Sequence, residues 1–247
     1  MPIPYLRRLT GRERTRKANR QLACYLAFIA GAINAGGFLA VQQYTSHMTG
    51  IVSSMADALA LGQAVFFLAG LGALLCFIAG AATSAVLVNW GRRRDLQSEF
   101  AFPLMLEAGM LILFGLLGGN LGRFAWLFVP ATVMLLCFIM GLQNAIITKL
   151  SHAEIRTTHV TGMVTDIGIE LGKLFYWNRH HATHPHVRAD REKLRLLLLL
   201  VGLFFVGGVS GALGFKHIGF IMTLPLAALL IFMAAVPVFD DMRTRFR

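Results

Sequence analysis

Two stretches carry most of the polar chemistry buried in an otherwise oily chain, "TSHMTGIVSSMAD" at 45–57 and "TTHVTGMVTDIGIE" at 157–170. In the first, Ser46, His47, Thr49, Gly50 and Asp57 supply hydroxyls, an imidazole and a carboxylate. In the second, Thr158, His159, Thr161, Gly162, Asp166 and Glu170 supply the same kinds of group. Imidazoles and carboxylates take up protons and cations, while hydroxyls beside a glycine-exposed backbone can hold a small polar solute. On a helix, Ser46, Gly50, Ser53 and Asp57 share one face, and so do His159, Gly162, Asp166 and Glu170. An ionisable stripe is costly against lipid and belongs inside a bundle or along a cavity. Ser46 and Thr158 are good N-cap types, so helices are expected to begin there with free N–H groups and a positive dipole end aimed into the protein.

Both stretches follow a related motif. "GAINA" (31–35) precedes the first and "GLQNA" (141–145) the second, which places Asn34 and Asn144 in matching positions. The spacing from Asn to His is 13 residues in one case and 15 in the other. Gly80, Ser84 and Ala85 match Gly207, Gly211 and Ala212, and Pro103-Leu104 matches Pro225-Leu226. Four features in the same order indicate an internal duplication. The copies differ chemically: Asp57 corresponds to Ile169, Asp166 to Ser54, Glu170 to Ala58, and Glu107 to Leu229. Unequal titratable groups suit proton- or cation-coupled movement better than a symmetric pore. The glycine pairs read as small-xxx-small packing seams.

The elements that must position these groups are membrane helices. The 247 residues are 56% hydrophobic and 14% charged, with a mean hydropathy of +0.65. Soluble domains are about a quarter charged. Apolar runs at about 21–42, 63–89, 101–119, 124–148, 193–214 and 217–239 approach the ~20 residues that cross a bilayer. None alternates as a barrel strand does. The expected fold is therefore an all-α integral membrane protein. It has about six spans plus two short re-entrant or broken helices, at 46–62 and 158–175, built as two inverted three-span repeats. The expected organisation is a basic tail at 1–20, a first repeat at 21–120, a second at 121–240 and a basic tail at 241–247.

Charge sets the direction. If the two short segments dip in and return, all but Arg123 and Lys216 of the 23 Lys and Arg fall on one side. Lys and Arg are retained on the cytoplasmic side. Both termini are thus expected on the cytoplasmic side of the membrane. The net charge of +11 then serves orientation and anionic lipid rather than nucleic acid. Cys24, Cys76 and Cys137 lie in apolar runs without metal-ligand spacing. The loop at 176–192 holds His180, His181, His184 and His186. Such a tract can bind metal, but no carboxylate or Cys completes a defined site, so a solvated loop is expected. No cofactor is expected. The sequence allows a homo-oligomer and does not require one.

With "GAINAGGF", "TSHMTG" and the second copy of each in view, residues 20–240 resemble the YoaK-like family of bacterial inner-membrane proteins, a domain of unknown function. That resemblance implies a multi-pass protein of the cytoplasmic membrane and supplies neither activity nor substrate. The residues themselves favour a secondary transporter or channel for a small polar solute or ion. Asn34 and Asn144 would donate or accept hydrogen bonds, and His47, His159, Asp57 and Asp166 would carry protons or ions. Two other readings stand beside it. A non-transporting scaffold or partner subunit would seal the polar stripes with interhelical hydrogen bonds. A membrane-embedded enzyme would use His159 and Asp166 as a base and its orienter, although no Ser or Cys elbow, HExxH or P-loop motif accompanies them.

Overall fold

A computed structural model of the chain describes residues 2–11, 15–118, 125–150, 158–177 and 186–245, and their regular structure is entirely helical. In chain order the α-helices are α1 (Pro2–Thr10), α2 (Arg16–Val41), α3 (Met48–Ala60), α4 (Ala64–Arg93) and α5 (Ala101–Gly118). They continue with α6 (Ala125–Leu150), α7 (Val160–Phe175), α8 (Arg191–Ile218) and α9 (Thr223–Arg245), and a 3-10 turn at Gly219–Met222 joins the last two. Among the described residues five segments are long and apolar enough to cross a membrane: Arg16–Val41, Ala64–Arg93, Ala101–Gly118, Phe128–Lys149 and Arg191–Arg243. The last is 53 residues long and contains both α8 and α9. Their outer faces are apolar, as on α4 with Phe66 68% and Val65 78% exposed. A surface of that kind needs lipid rather than water around it.

Lipid gives apolar helices no hydrophobic reason to pair, so they associate where small residues let backbones touch. Two such seams organise the bundle. Along α2 and α8, Gly31 lies against the Phe204 carbonyl, Gly207 against the Phe28 carbonyl and Gly211 against Ala32. Along α4 and α6, Gly80 lies against the Phe138 carbonyl and Gly141 against the Phe77 carbonyl. Contacts toward the ends of each seam set the direction: Arg20 meets Glu192 and Gly36 meets Phe215 on the first, while Gly72 meets Met134 and Lys149 the Ala85 carbonyl on the second, so each pair is parallel. Helix α5 instead runs antiparallel to α9, with Gly115 against Thr223 at one end and the Ser98 amide bonded to Asp241 at the other. Where α2 crosses α6, Gln143 reaches the Leu26 carbonyl and Leu136 packs on Gly37. That antiparallel crossing sets Gly31 nearly level with Gly141.

The connections explain the directions. α2 stops at Gln42, whose left-handed backbone (φ 56°) returns its N–H to the Phe38 carbonyl, and Tyr44 stacks on Phe38 at 4.5 Å. The chain thereby doubles back along α2. α3 then joins α4 through a turn at 61–63, where Gly62 adopts φ 69°, so the two helices form an antiparallel pair. Gly219 (φ 62°) makes the matching reversal between α8 and α9. Phe114, Phe215 and Phe220 pack around it, with ring centroids 5.6–5.8 Å apart.

One end of the bundle collects the basic residues. Arg20 pairs with Glu192 at 3.1 Å, Arg92 with Glu99 at 3.3 Å, and Arg7 forks onto both carboxylate oxygens of Asp240. Residues 2–10 of the basic N-terminal segment form α1, an amphipathic helix with Leu6 and Leu9 buried. Thr10 ties it to the Met233 carbonyl at 2.8 Å.

Candidate functional site

The two polar stretches take the same local shape. After α2 doubles back, the Ser46 hydroxyl donates to the Asn34 side-chain oxygen at 2.9 Å, and the Ser46 amide approaches the same oxygen at 3.4 Å. After α6, the Thr158 hydroxyl donates to the Asn144 side-chain oxygen at 2.6 Å. Asn144 also sends its Nδ2 to the Met140 carbonyl at 2.8 Å, inside its own helix. Each hydrogen bond pins the start of a short helix to a point well inside a long one. Asn34 and Asn144 lie three residues beyond the level glycines Gly31 and Gly141, about 5 Å to either side of that level.

The expected caps shift by one residue. His47 and His159, rather than Ser46 and Thr158, occupy the N-cap positions of α3 and α7, and neither side chain bonds the first-turn amides. The Ser46 and Thr158 hydroxyls are aimed instead at the Asn34 and Asn144 oxygens on the preceding long helices, to which they donate. Both imidazoles fold back so that Nδ1 lies over the glycine three residues on, Gly50 and Gly162. A side chain at either glycine would displace the ring. The N–H groups that open each short helix therefore have no side-chain acceptor from the cap.

From these starts the helices diverge. α3 runs toward the end opposite the basic one, with Thr49 and Asp57 exposed. Asp57 stands ten residues past His47, about 15 Å along the helix. α7 runs toward the basic end. There Asp166 pairs with Lys193 at 3.1 Å, and Glu170 accepts from Lys173 at 2.8 Å and from the Asp190 amide at 2.7 Å. Thr161 is exposed and Gly162 half-buried. Asp166 and Glu170 thus close an ionic latch between α7 and α8. Of the sequence candidates, the structure joins Asn34, Ser46, His47 and Gly50 in one cluster, and Asn144, Thr158, His159 and Gly162 in another. Asp57 lies apart from both. Glu107 is separate, wholly buried on α5 with neither carboxyl oxygen hydrogen-bonded. His186 is exposed; His180, His181 and His184 lie outside the described residues.

The Lys173 hydrogen bond, followed by the Asp190 amide, holds the Glu170 carboxyl below the usual carboxylate range. A carboxyl depressed in the folded state contributes stability that is present above its unfolded pKa and is lost as pH falls through the folded one. Glu170→Gln should therefore melt lower than the wild type at pH 7. The gap should close below about pH 4, in a thermal scan against pH.

Sequence reasoning missed several buried polar groups. Gln143 donates to the Leu26 carbonyl at 3.2 Å, while its oxygen and the Thr132 hydroxyl are buried without a hydrogen bond. Gln143 sits inside "GLQNA", where the other copy has Ile33. That difference between the two motifs was its available signal. Asp241, which receives the Gln97 and Ser98 amides, offered none beyond its charge.

Comparison with known proteins places this sequence in a family. The family model described as "Protein of unknown function (DUF1275)" matches residues 22–236. The chain is similar to the UPF0700 transmembrane protein YoaK of Bacillus subtilis (strain 168), at 27% identity over 188 residues, covering 75% of this chain and 81% of that protein. No solved structure matches.

Proposed function

Since the chain belongs to the DUF1275 family of multi-pass membrane proteins, which brings no substrate with it, we propose from its own residues that it is a secondary transporter or channel for a small polar solute or ion. In this reading the bundle has six crossings, with α8 and α9 counted separately, and both termini are cytoplasmic. Residues up to about 120 form one three-span unit and the remainder an inverted copy. α3 and α7 are the broken elements that re-enter from opposite faces, the arrangement in which transporter sites form near the midplane.

The observation that carries this reading is the matched pair of hydrogen bonds, Ser46 to Asn34 and Thr158 to Asn144. Each sits at the start of a short helix, and the two helices point away from each other. Non-helical backbone at that depth is tolerated only where protein buries it or where it lines water. The solute would lie between the two starts, where uncapped N–H groups suit its electronegative end. Asn34 and Asn144 would orient it, and His47 and His159 would exchange protons beside it. Thr49 and Asp57 on α3 and Thr161 and Asp166 on α7 would line the two approaches, and Glu107 would carry a proton within the bundle.

Purified protein in liposomes with an internal pH dye and a panel of solutes and ions tests this. Solute- or ion-dependent flux is expected, reduced at least about tenfold by Asn34→Ala or Asn144→Ala. Absence of flux under every gradient would contradict it. The scaffold reading draws support from Asn144, whose amide and carbonyl are both spent inside the protein. Under that reading the same variants lower stability and no flux exists to lose.

A further inference from the structure

A cleft of about 500 Å³ opens at the basic end of the bundle between α1, α2 and α8, remote from the two Asn clusters. Its rim holds Lys17, Arg20 and Arg195, and its lining continues inward to Cys24 and Leu199. Among the described lining residues Glu192 is the one carboxylate, and it is already paired with Arg20 at 3.1 Å. The rim therefore keeps an excess of positive charge. From Lys17 to Cys24 is seven residues of helix, about 10 Å. Over that depth the lining changes from cationic to apolar.

The parallel seam between α2 and α8 makes this possible, because it brings two helix N-termini side by side. Thr15 caps one through the Ala18 amide at 3.2 Å, and Asp190 caps the other through the Lys193 amide at 2.9 Å. Both positive dipole ends then face the same outer layer. The third wall is α1, fixed by Arg7 and Thr10 to α9, and its Tyr5 hydroxyl meets that of Tyr25 at 3.5 Å. Packing in the membrane does not require this charge. The other parallel pair opens with "AVFF" on α4 and "AWLF" on α6, and has no cation in either first turn.

We infer that this cleft is a binding site for an anionic phospholipid, with the phosphate headgroup held by Lys17, Arg20 and Arg195 and an acyl chain lying over Cys24 and Leu199. Guanidinium forks match phosphate oxygens in pairs, and lysine adds a point charge. The apolar floor distinguishes the occupant from free phosphate, which has nothing to place there. The inference is independent of any transported solute.

Native mass spectrometry of the full chain, released from a neutral detergent with equal phosphatidylglycerol and phosphatidylcholine, reads the occupancy. Phosphatidylglycerol should be retained about tenfold over phosphatidylcholine. The combined substitution Lys17→Gln, Arg20→Gln and Arg195→Gln should abolish that preference, while Arg93→Gln, Arg94→Gln and Arg188→Gln, with the same loss of charge elsewhere, should keep it. Cys24→Phe fills the floor without touching a charge and should also lose the lipid, which covers the case that the triple variant fails to fold. Equal loss in both triple variants, or full retention by Cys24→Phe, would overturn the site. So would a thermal stabilisation by inorganic phosphate as large as that by phosphatidylglycerol.

Discussion

Gly207→Val should leave almost no folded protein in the membrane, and Gly80→Val on the other seam should do the same. A Cβ at Gly207 would fall on the carbonyl oxygen of Phe28, and one at Gly80 on that of Phe138. Neither obstacle is a side chain that can rotate away, so the helices must separate along the seam. Overpacking costs about 1–3 kcal/mol where side chains can adjust, and a backbone clash lies at or above the top of that range. Total stabilities of about 5–15 kcal/mol leave little room for such a loss. Gly168→Ala and Gly172→Ala are the contrasting pair, since nothing lies within 4 Å of a Cβ at either. Both should be neutral or gain up to about 1 kcal/mol from helix propensity. Melting curves and size-exclusion profiles in detergent separate the two classes.

Glu107→Leu should melt higher than the wild type, the reverse of most substitutions in a buried position. The Glu107 side chain is fully buried and neither of its oxygens has a hydrogen-bond partner. An unsatisfied buried polar group costs about 1–3 kcal/mol, and an apolar residue of similar volume removes that cost. The position aligned with it in the second half of the sequence already holds Leu229, so a leucine suits such a helix. Glu107→Gln, which keeps the polarity, should show little or no gain. If Glu107 carries a proton in the transport cycle, the stabilised leucine variant should also lose proton-coupled flux, giving up activity for stability. A lower melting temperature for Glu107→Leu would mean that the carboxyl makes a contact the protein depends on.

The helices were legible because lipid imposes a simple rule on long apolar runs, and the seams because small residues recur at matching positions in both copies. Pro103 and Pro225, paired from the sequence, are each the third residue of their helix, α5 and α9. The two short helices were legible as to place, Met48–Ala60 and Val160–Phe175. Their caps were not. Ser46 and Thr158 have the right chemistry for capping, but their hydroxyls are turned toward an Asn twelve or fourteen residues upstream in the chain. Local preference gave way to a nonlocal bond. The polar face of α7 was also only half legible. Helical spacing put Asp166 and Glu170 with His159, whereas Lys193 and Lys173 draw those carboxylates into ion pairs at the basic end. The folding of α1 and the burial of Gln143 depend on tertiary packing that periodicity does not encode.

The proposed solute path requires two short helices that start near the middle of the bilayer and leave it through opposite faces. Single cysteines at 50, 57, 162 and 166, placed in a background with Cys24, Cys76 and Cys137 replaced, can be labelled with a membrane-impermeant maleimide from either side. Positions 50 and 57 should react only from outside, and 162 and 166 only from the cytoplasm. Reaction of either pair from both sides, or of both pairs from one side, would contradict the arrangement on which the proposed solute path rests.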